Sequence, residues 1–242
     1  PFHLAMRLAE VPSAVVKALQ AKGEDRQMAS SRPAFVIFDL GNVLVHIHPE
    51  AFLQTLGIDT PENRRYYQKS VINIVKKYER GEDSTDQFLD HLGVLFNAHD
   101  AAQQHIRGHR RVFSRDDFSR AMLSIIGRPI VGMEELARHL GARVPLGLLS
   151  NTNPMHFDAC MDDLAVLQVI PSHFLSYRLK SLKPEPGIFE KAIQLLQLDP
   201  GDVLYIDDLD ENVEAARRVG LNGYLFAGEQ ELKRRLSDLE LI

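Results

Sequence analysis

Four short stretches of this chain carry side chains that bind ions and charged ligands. The first is Asp39, which ends the apolar run Ala34-Phe-Val-Ile-Phe38. The second is Ser150-Asn151-Thr152-Asn153, which follows the apolar run Val144 to Leu149. Four small polar side chains in a row offer hydroxyl, amide and backbone donors to an anion. The third is Lys183, in Leu182-Lys-Pro-Glu-Pro186, just ahead of a helical pattern. The fourth is the pair Asp207 and Asp208, which closes the run Val203-Leu-Tyr-Ile206. Adjacent carboxylates repel each other and are costly unless a cation or a proton is shared between them.

Each stretch also has a plainer reading. A lone Asp at a strand end can simply cap a loop, and Ser, Asn and Thr are common turn formers. A lone lysine before a helix is usually a solvated charge. Asp210 and Glu211 read as the acidic first turn of a helix. That reading does not extend to Asp207 and Asp208, which follow a buried strand.

The elements that must position these groups come next. Short apolar runs ending in polar residues read as buried parallel strands, and ligand sites in such sheets lie outside the strands' carboxyl ends. The expected strands are Ala34–Asp39, Val144–Leu149, His173–Ser176, Val203–Asp207 and Asn222–Phe226. Helices are expected over Met133–Leu140, Gly187–Leu196, Glu211–Val219 and Gln230–Leu239. The alternation predicts an α/β fold with a Rossmann-like, doubly wound parallel sheet. Asp39 and Ser150 are 111 residues apart (150 − 39), whereas one strand–helix–strand unit needs only about 30. The surplus, roughly residues 49–127, reads as helices over Pro61–Tyr78, from Ser84 onward, over Ala98–Phe113 and over Arg115–Ile126. Ser84-Thr-Asp-Gln87 has the spacing of a capping box.

Composition bounds the function. Apolar residues are 45% of 242 and charged residues 25%, enough for a globular core and too many charges for a fibre or a membrane bundle. No run of 18 apolar residues occurs, so no membrane partner is expected. A net charge of −5 without a long basic run argues against a nucleic-acid partner. The single cysteine, Cys160, excludes an internal disulfide and suits a reducing, cytoplasmic location. Residues 1–32 read as an extension with a weakly amphipathic helix, Met28 being an alternative start, and no catalytic residue is expected there. No Gly-rich loop follows the first strand, which removes a dinucleotide-binding reading.

Taken in order, the four stretches resemble the haloacid dehalogenase-like hydrolase superfamily. Phe38-Asp-Leu-Gly-Asn-Val-Leu44, Leu149-Ser-Asn-Thr-Asn153, Ser176 through Lys183-Pro184, and Ile206-Asp-Asp-Leu-Asp-Glu-Asn212 match its motifs. The resemblance runs from Phe35 to about Phe226. It implies that Asp39 is the nucleophile, that Mg²⁺ is held by Asp39, the Gly41 carbonyl and Asp208, and that Ser150, Asn151 and Lys183 bind the phosphoryl group. It also implies that Lys183 holds Asp39 ionised, with Asp207 and Asn212 in support. The insert over 49–127 resembles the α-helical cap that selects substrates, between core segments 33–48 and 128–242. The partner is then a small phosphorylated metabolite.

Two departures stand out. Lys180 takes the place of the family's frequent Gly before the lysine, and Gly41 replaces the second Asp that usually serves as general acid. The Phe-Asp-Leu-Gly-Asn-Val pattern is similar to sugar-1-phosphate phosphatases, whose leaving hydroxyl needs less protonation than an ordinary alcohol. His46 or His48 could supply the proton instead, or be plain loop residues. Arg107, His109, Arg110 and Arg111 form the insert's basic cluster, either a solvated face or a contact to the substrate. A metal-independent 2-haloacid dehalogenase and a catalytically weak binding protein of the same fold remain as alternatives. The oligomeric state is left open.

Overall fold

The computed structural model describes residues 12, 32–107 and 112–242, with side chains for all of these but 99–107. The N-terminal extension, Pro12 and Arg32 excepted, and the Arg107–Arg111 basic side chains therefore lie outside the described residues.

The centre is a five-stranded parallel sheet. Its strands are β1 (Phe35–Phe38), β4 (Leu146–Ser150), β5 (Ser172–Leu175), β6 (Val203–Asp207) and β7 (Asn222–Leu225), in the order β5-β4-β1-β6-β7. All four residues of β1 are buried because both faces of the sheet are covered. The two-residue period divides them. Val36 and Phe38 pack with Leu146, Leu148, Leu204 and Ile206 on one face. Phe35 and Ile37 pack with Leu149, Val203 and Tyr205 on the other.

Helices cover both faces. On the first lie Met133, Leu136, Ala137 and Leu140 of α5 (Met133–Gly141), Phe157 and Cys160 of α6 (Pro154–Asp163), and Leu232 and Leu236 of α10 (Glu229–Asp238). On the second lie Ile188, Phe189, Ala192 and Leu196 of α8 (Pro186–Leu196), with Ala215 and Ala216 of α9 (Asp210–Arg218). A short α7 (Ser176–Leu179) follows β5 directly.

After β1 the chain leaves the sheet through β2 (Val45–Ile47) and returns through β3 (Ile126–Pro129), which pair antiparallel. Between them lie α1 (Ala51–Thr55), α2 (Pro61–Glu79), α3 (Thr85–Arg107) and α4 (Arg115–Leu123). Local chemistry sets their starts. The Thr60 side chain accepts from Asn63 N with Pro61 at the first helical position. Ser84 and Gln87 form the expected reciprocal cap, and Ser114 and Asp117 form another. These helices share their own apolar cluster, including Phe52, Tyr67, Tyr78, Phe88, Phe96 and Phe118.

The structure differs from the sequence reading at several places. Strand β2 and helices α1 and α7 were not expected, and Ser176 begins α7 rather than ending a strand. The helix expected over Ala98–Phe113 is, as far as Arg107, the second half of α3, and Phe113 stands outside it. Ile126 begins β3 rather than ending a helix, because it finds a backbone partner in β2. Helix α6 was not expected; Asn153, read as a ligand group, caps it by accepting from His156 N at 3.0 Å. Among the described residues no helix is long and apolar enough to cross a membrane.

Gly147 is a tight point of the sheet. A Cβ there would meet Phe35 at 2.8 Å and Phe174 at 3.1 Å, both buried rings with no free space to enter. Gly147→Ala is therefore expected to lower the unfolding free energy by about 1–3 kcal/mol through overpacking. Urea denaturation checks this: an unchanged midpoint would show that the two rings can retreat.

Candidate active site

The strand order turns at β1, from which β4 and β5 run to one edge of the sheet and β6 and β7 to the other. Such a switch point opens a crevice at the carboxyl ends of the strands. Asp39 follows β1 there, and its backbone N donates to Ile206 O at 2.8 Å, tying the ends of β1 and β6 together. Asp207 ends β6, and Ser150 ends β4.

Lys183 joins these three strand ends. Its Nζ lies 2.6 Å from Asp39 Oδ1 and 2.7 Å from Asp207 Oδ2, and it donates to Leu149 O at 3.0 Å. All three ionic side chains are buried. The lysine is held by its backbone: Asn151 Nδ2 donates to Lys183 O at 2.9 Å, and Lys183 N donates to Asn151 Oδ1 at 2.8 Å. The Asn151 amide is thus occupied in placing the lysine. The Ser150 hydroxyl makes only a long contact to Asn151 O, at 3.4 Å. It is left with most of its bonding capacity for a ligand.

Asp207 is the most heavily bonded of the acids. Besides Lys183 it accepts from the Tyr205 hydroxyl, from Leu209 N at 2.9 Å, and from Asn212 Nδ2 at 3.0 and 3.1 Å. Asp208 is partly exposed. It accepts from Asn42 Nδ2 at 3.2 Å. Asn42 has a φ of 53°, a left-handed conformation that Asn tolerates better than most residues. Its Oδ1 accepts from Ile47 N at 3.2 Å, which fixes the loop. At Gly41 a Cβ would meet Ile47 at 3.1 Å, so a larger residue there would need Ile47 to give way.

Charge follows burial. Burial pushes the Asp39 carboxyl up to about 7, Lys183 pulls it down, and the charge of Asp207 adds to the rise. For Lys183, burial opposes the charge, but Asp39 and Asp207 outweigh it and raise the ammonium above the ordinary lysine value. Asp207 is also opposed by burial, yet Lys183 and its hydrogen bonds hold it below the usual carboxylate range. Asp208 is raised, chiefly by burial.

The structure gathers Asp39, Ser150, Asn151, Lys183, Asp207, Asp208 and Asn212 into one crevice, with Gly41 on the loop above Asp39. His46 and His48 are exposed on and beside β2. Their rings stack at 6.3 Å, and His48 faces Glu50 at 3.5 Å. Three contributors were not singled out in the sequence: Asn42, Tyr205 and Ser176. Tyr205 was findable, because residues i and i+2 of a strand share a face. Asn42 and Ser176 act through loop conformations that no local pattern announces.

Comparison with known proteins agrees with this geometry. The family described as haloacid dehalogenase-like hydrolase matches residues 34–220. A D-ribitol-5-phosphate phosphatase of Bacteroides thetaiotaomicron is 26% identical over 202 residues, covering 78% of this chain and 89% of that protein. Flavin mononucleotide hydrolase 1 of Arabidopsis thaliana is 30% identical over 109 residues, 45% of this chain and 44% of that protein. A family enzyme from B. thetaiotaomicron, solved with magnesium and inorganic phosphate, superposes with a TM-score of 0.64 at 23% identity. That match covers 81% of this chain and 96% of the other.

The Asp207 carboxylate accepts from Lys183, Tyr205, Leu209 N and Asn212, and an amide cannot satisfy all of them, although Lys183 keeps Asp39 as a partner. Asp207→Asn is expected to lower the unfolding free energy by about 1–3 kcal/mol at pH 7. Because the folded protein holds Asp207 below its ordinary value of 3.8, its stabilisation is present above that value and lost as pH falls through the folded one. The gap between wild type and variant should therefore narrow in acid. Denaturation at pH 7 and near pH 3 checks it, and a gap independent of pH would rule the charge effect out.

Proposed function

The chain belongs to the haloacid dehalogenase-like hydrolases, and on that premise we propose that it is a magnesium-dependent phosphomonoester hydrolase acting through an aspartyl-phosphate at Asp39. The observation that carries the reading is Lys183 clamped between Asp39 and Asp207, with Asp208 beside them. Carboxylate oxygens of Asp39, Asp207 and Asp208 lie within 4.8 Å of one another. Hard oxygen donors at that spacing suit Mg²⁺. A site with three carboxylates and one ammonium must also take up positive charge before an anionic ester can enter.

Asp39, the Gly41 carbonyl and Asp208 are the ligands we propose, since Asp207 is already committed to Lys183, Tyr205, Leu209 and Asn212. When bound, the cation would neutralise charge on the phosphoryl oxygens and lower the Asp39 carboxyl toward its ionised form. The chain's own residues do the rest. The Asp39 carboxylate attacks phosphorus in line and displaces the alcohol. Ser150 and Lys183 offer a hydroxyl and an ammonium to the phosphoryl oxygens. Asn151 and Asn212 position Lys183 and Asp207. Water then releases phosphate from Asp39.

The segments 33–48 and 128–242 would form the catalytic core, with the helices of 49–127 as a cap that selects the group carrying the phosphate. That group is a small phosphorylated metabolite, in keeping with relatives that act on ribitol 5-phosphate and flavin mononucleotide. A sugar 1-phosphate is the finer candidate, because its leaving hydroxyl asks least of a site with glycine at position 41.

The test is phosphate release from sugar 1-phosphates, sugar 6-phosphates, ribitol 5-phosphate and nucleotides, with Mg²⁺ and with EDTA. We expect release only with Mg²⁺, and a fall on the order of 10³-fold or more in Asp39→Asn. Release that survives EDTA, or that the Asp39→Asn variant supports equally, would overturn the reading. Chloride release from chloroacetate would replace it with the dehalogenase.

A further inference from the structure

Cleaving phosphorus from the oxygen of an ordinary alcohol produces an alkoxide unless a proton arrives with the cleavage. A positioned donor is worth about 10²–10⁴-fold. The inference that follows rests on the phosphatase reading and asks which side chain holds that proton. Around the crevice the acids are few. Asp39 must be the nucleophile, Asp207 is saturated by its four partners, and Asp208 faces Asn42 and the cation ligands. Position 41 has no side chain. His48 faces Glu50, and exposed His46 stacks on His48.

Glu79 remains. It ends α2, where that helix lands on the loop that carries Lys183. The Ser176 hydroxyl lies 2.6 Å from Glu79 O and 3.0 Å from both the N and the O of Thr152, two residues beyond Ser150. One residue further on, Arg80 grips both carboxylate oxygens of Glu185 at 2.7 and 2.6 Å. The Lys180 ammonium donates to Gly81 O. The end of α2 and the two residues after it are thus held at three successive positions against Ser176, Glu185 and Lys180, on the segment that carries Lys183.

The Glu79 carboxyl itself is half-buried and makes no hydrogen bond or ion pair among the described residues. The cations that act on it are Lys183 first and Lys76, one turn earlier on its own helix, second. Arg80 is occupied by Glu185 and Glu82. Burial outweighs both lysines and pushes the carboxyl up to about 7, the range in which a group can both give and take a proton at neutral pH.

We propose that Glu79 is the general acid and base of this site. As the Asp39 carboxylate bonds to phosphorus, the bond from phosphorus to the alcohol oxygen breaks. That oxygen takes the Glu79 proton and leaves as the neutral alcohol. In the second half, water attacks the phosphorus of the aspartyl-phosphate and gives a proton to the Glu79 carboxylate. The phosphorus–Asp39 bond breaks, and phosphate leaves with Asp39 and Glu79 restored.

The test compares wild type, Glu79→Gln and Glu79→Asp on two esters with Mg²⁺: ribitol 5-phosphate, an alkanol leaving group, and p-nitrophenyl phosphate, which departs without protonation. In Glu79→Gln, kcat/KM for the alkyl ester should fall by about 10²–10⁴-fold. For the nitrophenyl ester kcat/KM should hold, while nitrophenolate appears as a burst because hydrolysis of the aspartyl-phosphate has lost its base. Glu79→Asp should retain part of the alkyl activity, and the loss of wild-type rate above neutral pH should vanish in Glu79→Gln. Equal losses of kcat/KM on both esters, or none on the alkyl ester, would overturn the assignment. A wild type that leaves both esters intact would overturn the phosphatase reading beneath it. A wild type active through Asp39, beside a fully active Glu79→Gln variant, would sink the Glu79 assignment alone.

Discussion

One buried ammonium between two carboxylates determines how this crevice is built. Lys183 sits 2.6 Å from Asp39 and 2.7 Å from Asp207, and the carboxylates come from the adjacent strands β1 and β6. Without the ammonium, two carboxylates would face each other unpaired in the interior, at a cost of several kcal/mol. The triad therefore needs β1 and β6 in register and the Lys183 loop drawn in under them. The parallel pairing of Phe38 with Ile206 provides the first, and the reciprocal Asn151 amide clamp provides the second. The fold's apolar faces hold the strands, and the triad makes the strand ends charged.

The sequence exposed the parts of this arrangement that are local. β1, β4 and β6 lie within two residues of where their apolar runs end, because strands covered on both faces have no room for polar side chains. The same logic delivered Asp39, Ser150 and Asp207 at strand ends, and the order of the motifs delivered Lys183 and Asp208. Pairing between distant segments stayed hidden. β2 and β3 are short and irregular in register, so Ile126 reads as the end of a helix. Helix α6 was missed for a different reason: Asn153 suits both a ligand site and a cap, and the cap wins. Glu79 could not be read at all. On α2, with exposed lysines beside it, it looks like one more solvated acid until the helix is docked.

The docking contacts differ in kind from the triad. Arg80 and Glu185 are each about a third or more exposed, and such pairs contribute about 0–1 kcal/mol, since water replaces either partner. Ser176 is more telling. Its hydroxyl has one proton and two carbonyls in reach, Glu79 O at 2.6 Å and Thr152 O at 3.0 Å. With α2 seated, the nearer Glu79 takes the proton. With α2 lifted, Thr152 can take it, and Thr152 N still donates to the same oxygen, so no buried polar atom is orphaned. The Ser176 and Arg80 contacts at the end of α2 are therefore individually replaceable, whereas moving Lys183 away from its carboxylates would leave buried charge unpaired. Buried Tyr78 and the 2.9 Å contact of His156 Nε2 with Met122 O add a second, less replaceable tie between the helical layer and the sheet.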